Sequence, residues 1–115
     1  MSAAAVLRPS VEPTVPYRVL ALGGSAGAIQ PLQTVLSRLP ADFPIPIVVV
    51  QHLPASLESR LPTVLGFRTR LRCRWSEDGE LPRAGTVHVA RPGMNLVLGR
   101  DERLRHIDGA KPRLG

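Results

Sequence analysis

Two residues in this sequence have the types and surroundings to do hydrolytic chemistry together, Ser25 and His52. Ser25 sits in "ALGGSAGAIQ", where Gly23, Ser25 and Gly27 satisfy G-x-S-x-G between an apolar run and a helix-like pattern. In that context the flanking glycines, Gly23, Gly24 and Gly27, allow a sharp turn that lifts the hydroxyl above a strand end. The backbone N–H of Ala26 then falls at a helix N-terminus, where it can donate to a developing oxyanion. His52 closes "IVVVQH", 27 residues after Ser25. An imidazole with an ordinary pKa of about 6.5 suits the role of general base to a serine.

Other readings of the glycines fit less well. G-x-G-x-x-G fails because Ser25 stands two residues after Gly23, and there is no Gly-Lys-Ser/Thr for a phosphate loop. A purely structural reading stays open on the motif alone, since small residues also let a helix pack closely on a strand. A lone histidine at a strand end is likewise often just a cap. Convergence is what favours chemistry, and it depends on the elements that carry the two residues.

"YRVLAL" (17–22) predicts a short strand ending at the glycines. Ile29, Leu32, Val35, Leu36 and Leu39 then recur at helical spacing, with Pro31 in the first turn and Pro40 closing the helix. "IPIVVVQ" (45–51) is a continuous β-branched run, suited to a parallel strand buried on both faces. Strand, helix, strand is a right-handed βαβ unit. It would bring Ser25 and His52 to the carboxyl ends of neighbouring strands, the edge where open α/β sheets bind ligands.

The second half reads differently. "SLESRLPTVL" (56–65) predicts a helix kinked or split at Pro62. "FRTRLRCRW" (67–75) alternates, with Arg68, Arg70, Arg72 and Arg74 on one face, and predicts one long period-two strand. "TVHVA" and "NLVLG" predict further strands, the latter pairing with "RLRHI" across "GRDE". Glu77 and Asp78 read as a solvated turn, His88 as a strand residue, and His106 as facing solvent. The arginine stripe is most simply a solvated face, with docking of an acidic partner as its functional alternative. Cys73 lies between two arginines, which favours a thiolate, but on the apolar side of the stripe, which favours packing.

Composition bounds the partners. The 115 residues suffice for one domain with a modest core, at 43% hydrophobic and 21% charged. Fifteen basic residues, fourteen of them Arg, outweigh nine acidic ones, giving a net charge of +6. Such a field favours acidic partners. Aromatics at 3% leave few stacking platforms, which argues against single-stranded nucleic acid. A single cysteine allows no internal disulfide and no Cys-based zinc site, so no metal or cofactor is expected. No apolar stretch approaches a bilayer span, and "MSAAAVLRPSVEP" lacks the features of a secretory signal, so a cytoplasmic setting is expected.

Two stretches together resemble a known family. "VLALGGSAGAIQPLQTVLSRLPADFPIPIVVVQHLP" and "EDGELPRAGTVHVARPGMNLVL" are similar, in order, to the catalytic domain of CheB-type protein-glutamate methylesterases of bacterial chemotaxis. The pairing of Gly-Ser-Ala-Gly with Gln-His-Leu-Pro at the next strand end is the specific part. The resemblance implies an α/β fold, doubly wound and Rossmann-like in three layers, with a mostly parallel sheet, flanking helices and a hairpin-rich second half. Residues 1–16, with three prolines and no periodicity, read as a disordered leader, and the resemblance implies, over 17–115, the N-terminal part of the catalytic domain without a receiver domain. Ser25 would match the nucleophile, His52 the base, and Ala26 the oxyanion-hole residue, where the family often has Thr.

The family's triad aspartate lies in a Gly-rich loop ending Asp-Gly-Ala, well downstream. "IDGA" (107–110) lacks the preceding glycines and follows the hairpin too soon, so the reading sets Asp108 aside and expects the triad acid to be absent. Losing that acid costs about 10⁴-fold in serine-protease turnover, so impaired catalysis is expected. Marginal stability or self-association through an uncovered sheet edge is expected too.

The leading function is therefore hydrolysis of glutamate methyl esters on chemoreceptor cytoplasmic domains, releasing methanol within two-component signalling. The alternative is an inactive module that binds receptors or a receptor methyltransferase. A third reading is an α/β esterase for small acyl substrates.

Overall fold

A computed structural model of the chain describes residues 18–24, 29–51 and 60–108. The leader at 1–16 therefore lies outside the described residues. Four strands form one sheet: β1 (Leu20–Gly24), β2 (Ile47–Gln51), β3 (Arg72–Trp75) and β4 (Thr86–Val89), in the order β1-β2-β4-β3. Every pairing in it is parallel. Helices α1 (Ile29–Ser37) and α2 (Leu61–Leu65) connect β1 to β2 and β2 to β3. A separate antiparallel hairpin follows, β5 (Met94–Leu98) with β6 (Leu104–Asp108). The expected pairing across "GRDE" is therefore present.

The strands order themselves by how much of each can be buried. "IVVVQ" of β2 and "TVHV" of β4 are buried on both faces and take the central places, whereas β1 and β3 take the edges. Ile47, Val49, Val87 and Val89 share one sheet face, and all are at most 1% exposed. Leu32 and Leu36 of α1, four apart, and Leu61 and Leu65 of α2 pack on that face. Side-chain bonds fix the helices: Gln33 Nε2 donates to the Val64 carbonyl at 2.8 Å, and Thr69 Oγ1 donates to the Leu36 carbonyl at 3.0 Å. The latter adds a second donor to a carbonyl at the end of α1 that also accepts the Leu39 N–H at 3.2 Å. Among the described residues no helix is long and apolar enough to cross a membrane.

Two local expectations are corrected. Pro62 does not kink a helix; it sits in the first turn of α2, where its missing N–H removes no intrahelical bond. Residues 56–59 of the expected helix lie outside the described residues. The long alternating strand is also shorter than its pattern. Gly66–Arg68 continue α2 as a 3₁₀ turn, leaving Phe67 73% exposed, and only Arg72–Trp75 form β3. The reason is tertiary. Thr69 Oγ1, while donating to Leu36, accepts the Leu71 N–H at 3.1 Å, which fixes a bend before the strand can begin.

The opposite sheet face carries Val48, Thr86 and His88, all buried. Among the described residues, the loop 76–85 and the hairpin cover this face. Leu104 joins them, its carbonyl accepting from Gly79 N–H at 2.6 Å and its N–H donating to the Glu80 carbonyl at 2.8 Å. At the centre, His88 is fully buried, its Nε2 accepting the Arg83 N–H at 3.0 Å. That bond leaves the proton on Nδ1, 3.2 Å from Glu80 Oε2. Glu80 also accepts from Arg74 Nη2 at 2.5 Å and from the Glu77 N–H at 2.7 Å. Glu80 thus ties β3, β4 and the loop together.

Burial pushes the His88 imidazole below its usual range, outweighing the raising effect of Glu80. Burial alone would raise the Glu80 carboxyl, but the Glu77 N–H, Arg74 and His88 together hold it below its usual value. The signs agree. As pH falls below about 6.5, the unfolded chain protonates its histidine before the folded chain does, and stability falls. Below about 4.5 the Glu80 contribution is lost in its turn. We expect urea unfolding to show stability complete above pH 7 and declining towards pH 5, with a flatter decline in His88→Asn. Glu80→Ala should cost about 2–3 kcal/mol at pH 7, because it strands buried donors. A Glu80→Ala midpoint equal to that of the parent would overturn this assignment.

Candidate active site

All four parallel strands point the same way, so their carboxyl ends line one edge. Read across the sheet, that edge begins after Gly24, Gln51, Val89 and Trp75. Gly24 and Gln51 are register partners in adjacent strands, which places their backbones about 4.8 Å apart. Ser25 and His52 are the next residues in the sequence after these two. Both, together with Ala26 and Gly27, lie outside the described residues.

Gly23 and Gly24 are described, and they are the last two residues of β1. Gly23 has ordinary extended backbone, and a Cβ added to it would just touch the Val50 carbonyl oxygen at 3.4 Å. β1 therefore runs in extended form through Gly24. Positive φ among the described glycines occurs only at Gly79, Gly85 and Gly93, all in loops of the second half. Asp108 is the last residue of β6 and the register partner of Met94. Its backbone belongs to the hairpin, not to the parallel sheet.

A second serine–histidine pair lies at the far side of the same edge. Ser76 follows β3, and its Oγ is 2.9 Å from His106 Nε2 on β6. The expectation that His106 faces solvent is thereby corrected: it is half-buried, and its N–H donates to Asp78 Oδ1 at 2.7 Å. Ser76 has no exposed surface at all, so no substrate can reach its oxygen. This pair fastens the hairpin to the sheet. Glu77 and Asp78 serve the same end: Glu77 Oε2 accepts from Arg91 Nη2 at 2.8 Å, and the Arg91 guanidinium sits 5.9 Å from the centre of the Trp75 ring. The turn read as merely solvated is a fastening point.

Glu80, Ser76 and the role of His88 were missed in the sequence for one reason. Their partners lie three to thirty residues away, in other elements or around a loop, where no periodic signal connects them. A buried histidine does require a partner, but the sequence offers several acids for it. Cys73 resolves in favour of packing: burial raises its thiol to about 11, so it holds almost no thiolate near neutral pH.

Comparison with known proteins agrees with this architecture. The family model described as CheB methylesterase matches residues 20–113. The chain is 40% identical over 96 residues to the "protein-glutamate methylesterase/protein-glutamine glutaminase 2" of Photobacterium profundum, covering 81% of this chain and 24% of that protein. It is 36% identical over 115 residues to the corresponding protein of Halalkalibacterium halodurans, covering 96% of this chain and 33% of that one. The crystal structure of the Thermotoga maritima CheB methylesterase catalytic domain superposes with a TM-score of 0.71 at 29% identity, covering 87% of this chain and 53% of that chain. The chain thus spans between a quarter and a third of these curated relatives, and about half of the solved domain.

Burial makes Cys73 chemically quiet. At pH 8 a thiol of pKa about 11 is ionised to roughly one part in a thousand. Iodoacetamide should therefore label it at least tenfold more slowly in buffer than in 8 M urea (a concentration of about this order suffices to unfold small domains). Equal rates would place the thiol in solvent.

Proposed function

The chain belongs to the CheB methylesterase family, and from that premise we propose that it hydrolyses methyl esters of glutamyl side chains on a protein substrate, with Ser25 as nucleophile and His52 as base. The observation that carries the reading is the register of Gly24 with Gln51. Ser25 and His52 follow these two directly in the sequence, so the reading has them leave neighbouring strands at the edge where parallel sheets bind ligands. A serine and a histidine on adjacent strand ends are within reach of the hydrogen bond that nucleophile activation needs.

The chemistry runs in two halves. Ser25 Oγ attacks the ester carbonyl as its proton passes to His52. The oxyanion so formed is stabilised by the Ala26 N–H. Collapse breaks the bond to the methoxy group, which takes the proton from His52 and leaves as methanol. Water, deprotonated by His52, then attacks the acyl-serine, restoring the hydroxyl and releasing the glutamate carboxylate.

The names of the relatives include a glutaminase activity that the sequence reading did not anticipate. The same cycle accommodates it. A glutamine amide differs at the leaving group, so protonated nitrogen departs as ammonia and the acyl-serine is identical. Methylated chemoreceptors of bacterial chemotaxis are the substrates this reading implies, and their methylated cytoplasmic regions would place the protein in the cytoplasm.

We expect methanol release from a methylated receptor fragment, and ammonia release from a glutamine-bearing one, to fall together in Ser25→Ala by about 10⁴-fold or more. His52→Gln should fall by a similar factor. Release that survives Ser25→Ala would refute the assignment of the nucleophile.

A further inference from the structure

At the opposite end of β3 and β4 from the candidate catalytic edge lies a solvent-open cavity of about 560 Å³. Arg72, Arg74, Arg83 and Arg103 line it, with Glu80 as its one acid. Glu80 is already committed to Arg74 and His88. Nearby, Glu77 pairs with Arg91, Asp101 with Arg105 and Glu102 with Arg18, while Asp78 accepts the backbone N–H of His106. Among the described residues, Arg72, Arg83 and Arg103 have no carboxylate within ion-pair distance. Arg103 gives one nitrogen to the Gly79 carbonyl at 2.8 Å, which fixes its side chain at the rim without neutralising it.

Three uncompensated guanidiniums around one concavity make an anion-binding surface. They come from three separate places, β3, the loop before β4 and the loop before β6. The cavity is many times the size of a single phosphate group. Dispersed planar donors suit several carboxylates in a chain better than one compact ion.

We propose that this cavity docks an acidic segment of the protein substrate, whose carboxylates pair with Arg72, Arg83 and Arg103. The inference rests on the reading above, in which the substrate is a protein bearing glutamyl side chains. Strands of four and five residues span about 15 Å, so one substrate surface can touch both the cavity and the catalytic edge. Hydrolysis turns a neutral ester into a carboxylate, so segments already rich in free glutamates are held best. Such a contact, remote from the reacting atoms, acts on KM and leaves kcat unchanged.

The test uses fluorescein-labelled hexaglutamate, which carries no ester and reports docking apart from turnover. Its anisotropy is titrated at low salt with the parent chain, with Arg72→Glu/Arg83→Glu and with Arg68→Glu/Arg70→Glu. The last pair is exposed, lies outside the cavity and changes net charge equally. The parent should bind, with affinity falling as salt rises. The control should stay within about twofold, and the cavity variant should weaken about tenfold or more. Circular dichroism checks that each variant is folded. Equal weakening in both variants, or no binding by the parent, would overturn the proposal. So would displacement of the peptide by equimolar inorganic phosphate, which would make the cavity a free-anion site. Binding without any hydrolysis of methylated substrate would count against the functional reading; hydrolysis without binding would count against this one.

Discussion

The in-register parallel pairing of β1 with β2 is the constraint on which the rest of the molecule depends. Parallel strands must be joined by a crossover, and the crossover here is α1, whose Leu32 and Leu36 seal the sheet face carrying Ile47 and Val49. Once that face is closed, the register cannot slip. A shift of one residue would turn each apolar side chain of β2 to the other face of the sheet. The register in turn decides which residues leave the sheet together, Gly24 with Gln51. The proposed chemistry relies on that register, because Ser25 and His52 are the residues that follow these two in the sequence.

The second half of the chain obeys a different constraint. The face bearing His88 receives a loop and a hairpin, and an irregular loop has backbone polar groups that no ladder satisfies. Polar anchors take that role. Glu80 accepts from Arg74 and the Glu77 N–H and meets His88; Ser76 meets His106; Asp78 holds the His106 N–H. Each anchor joins an element of the sheet or its loop to one that comes later in the chain. A network of this kind holds a connection in one geometry, and it makes the region sensitive to protonation where an apolar contact would not be.

The same anchors shape the surface. Because Glu80 is drawn inward to His88 and Arg74, and Glu77, Asp101 and Glu102 pair elsewhere, Arg72, Arg83 and Arg103 have no carboxylate partner among the described residues. The alternating arginine pattern had suggested a single face carrying four of them. The structure separates them: Arg68 and Arg70 are exposed outside any strand, while Arg72 and Arg74 lie on β3 beside residues from distant loops. Charge pattern in sequence and charge pattern in space are therefore different things here.

Local and periodic signals were legible. The apolar run of β2, the i, i+4 leucines of α1 and the hairpin all follow from spacing within one element or from adjacent residues. The motif stretches were specific enough to carry the family as well. Long-range satisfaction was not legible. The 3₁₀ turn at Gly66–Arg68 replaces a strand because Thr69 finds Leu36, 33 residues earlier. Glu80 stands out from eight other acids only because a buried imidazole lies beside it. The sequence by itself determined the parallel βαβ core, the hairpin and the family. Only the tertiary structure decided which polar groups are partnered and which are left charged, because burial and distance are set by the packing of segments far apart in the chain.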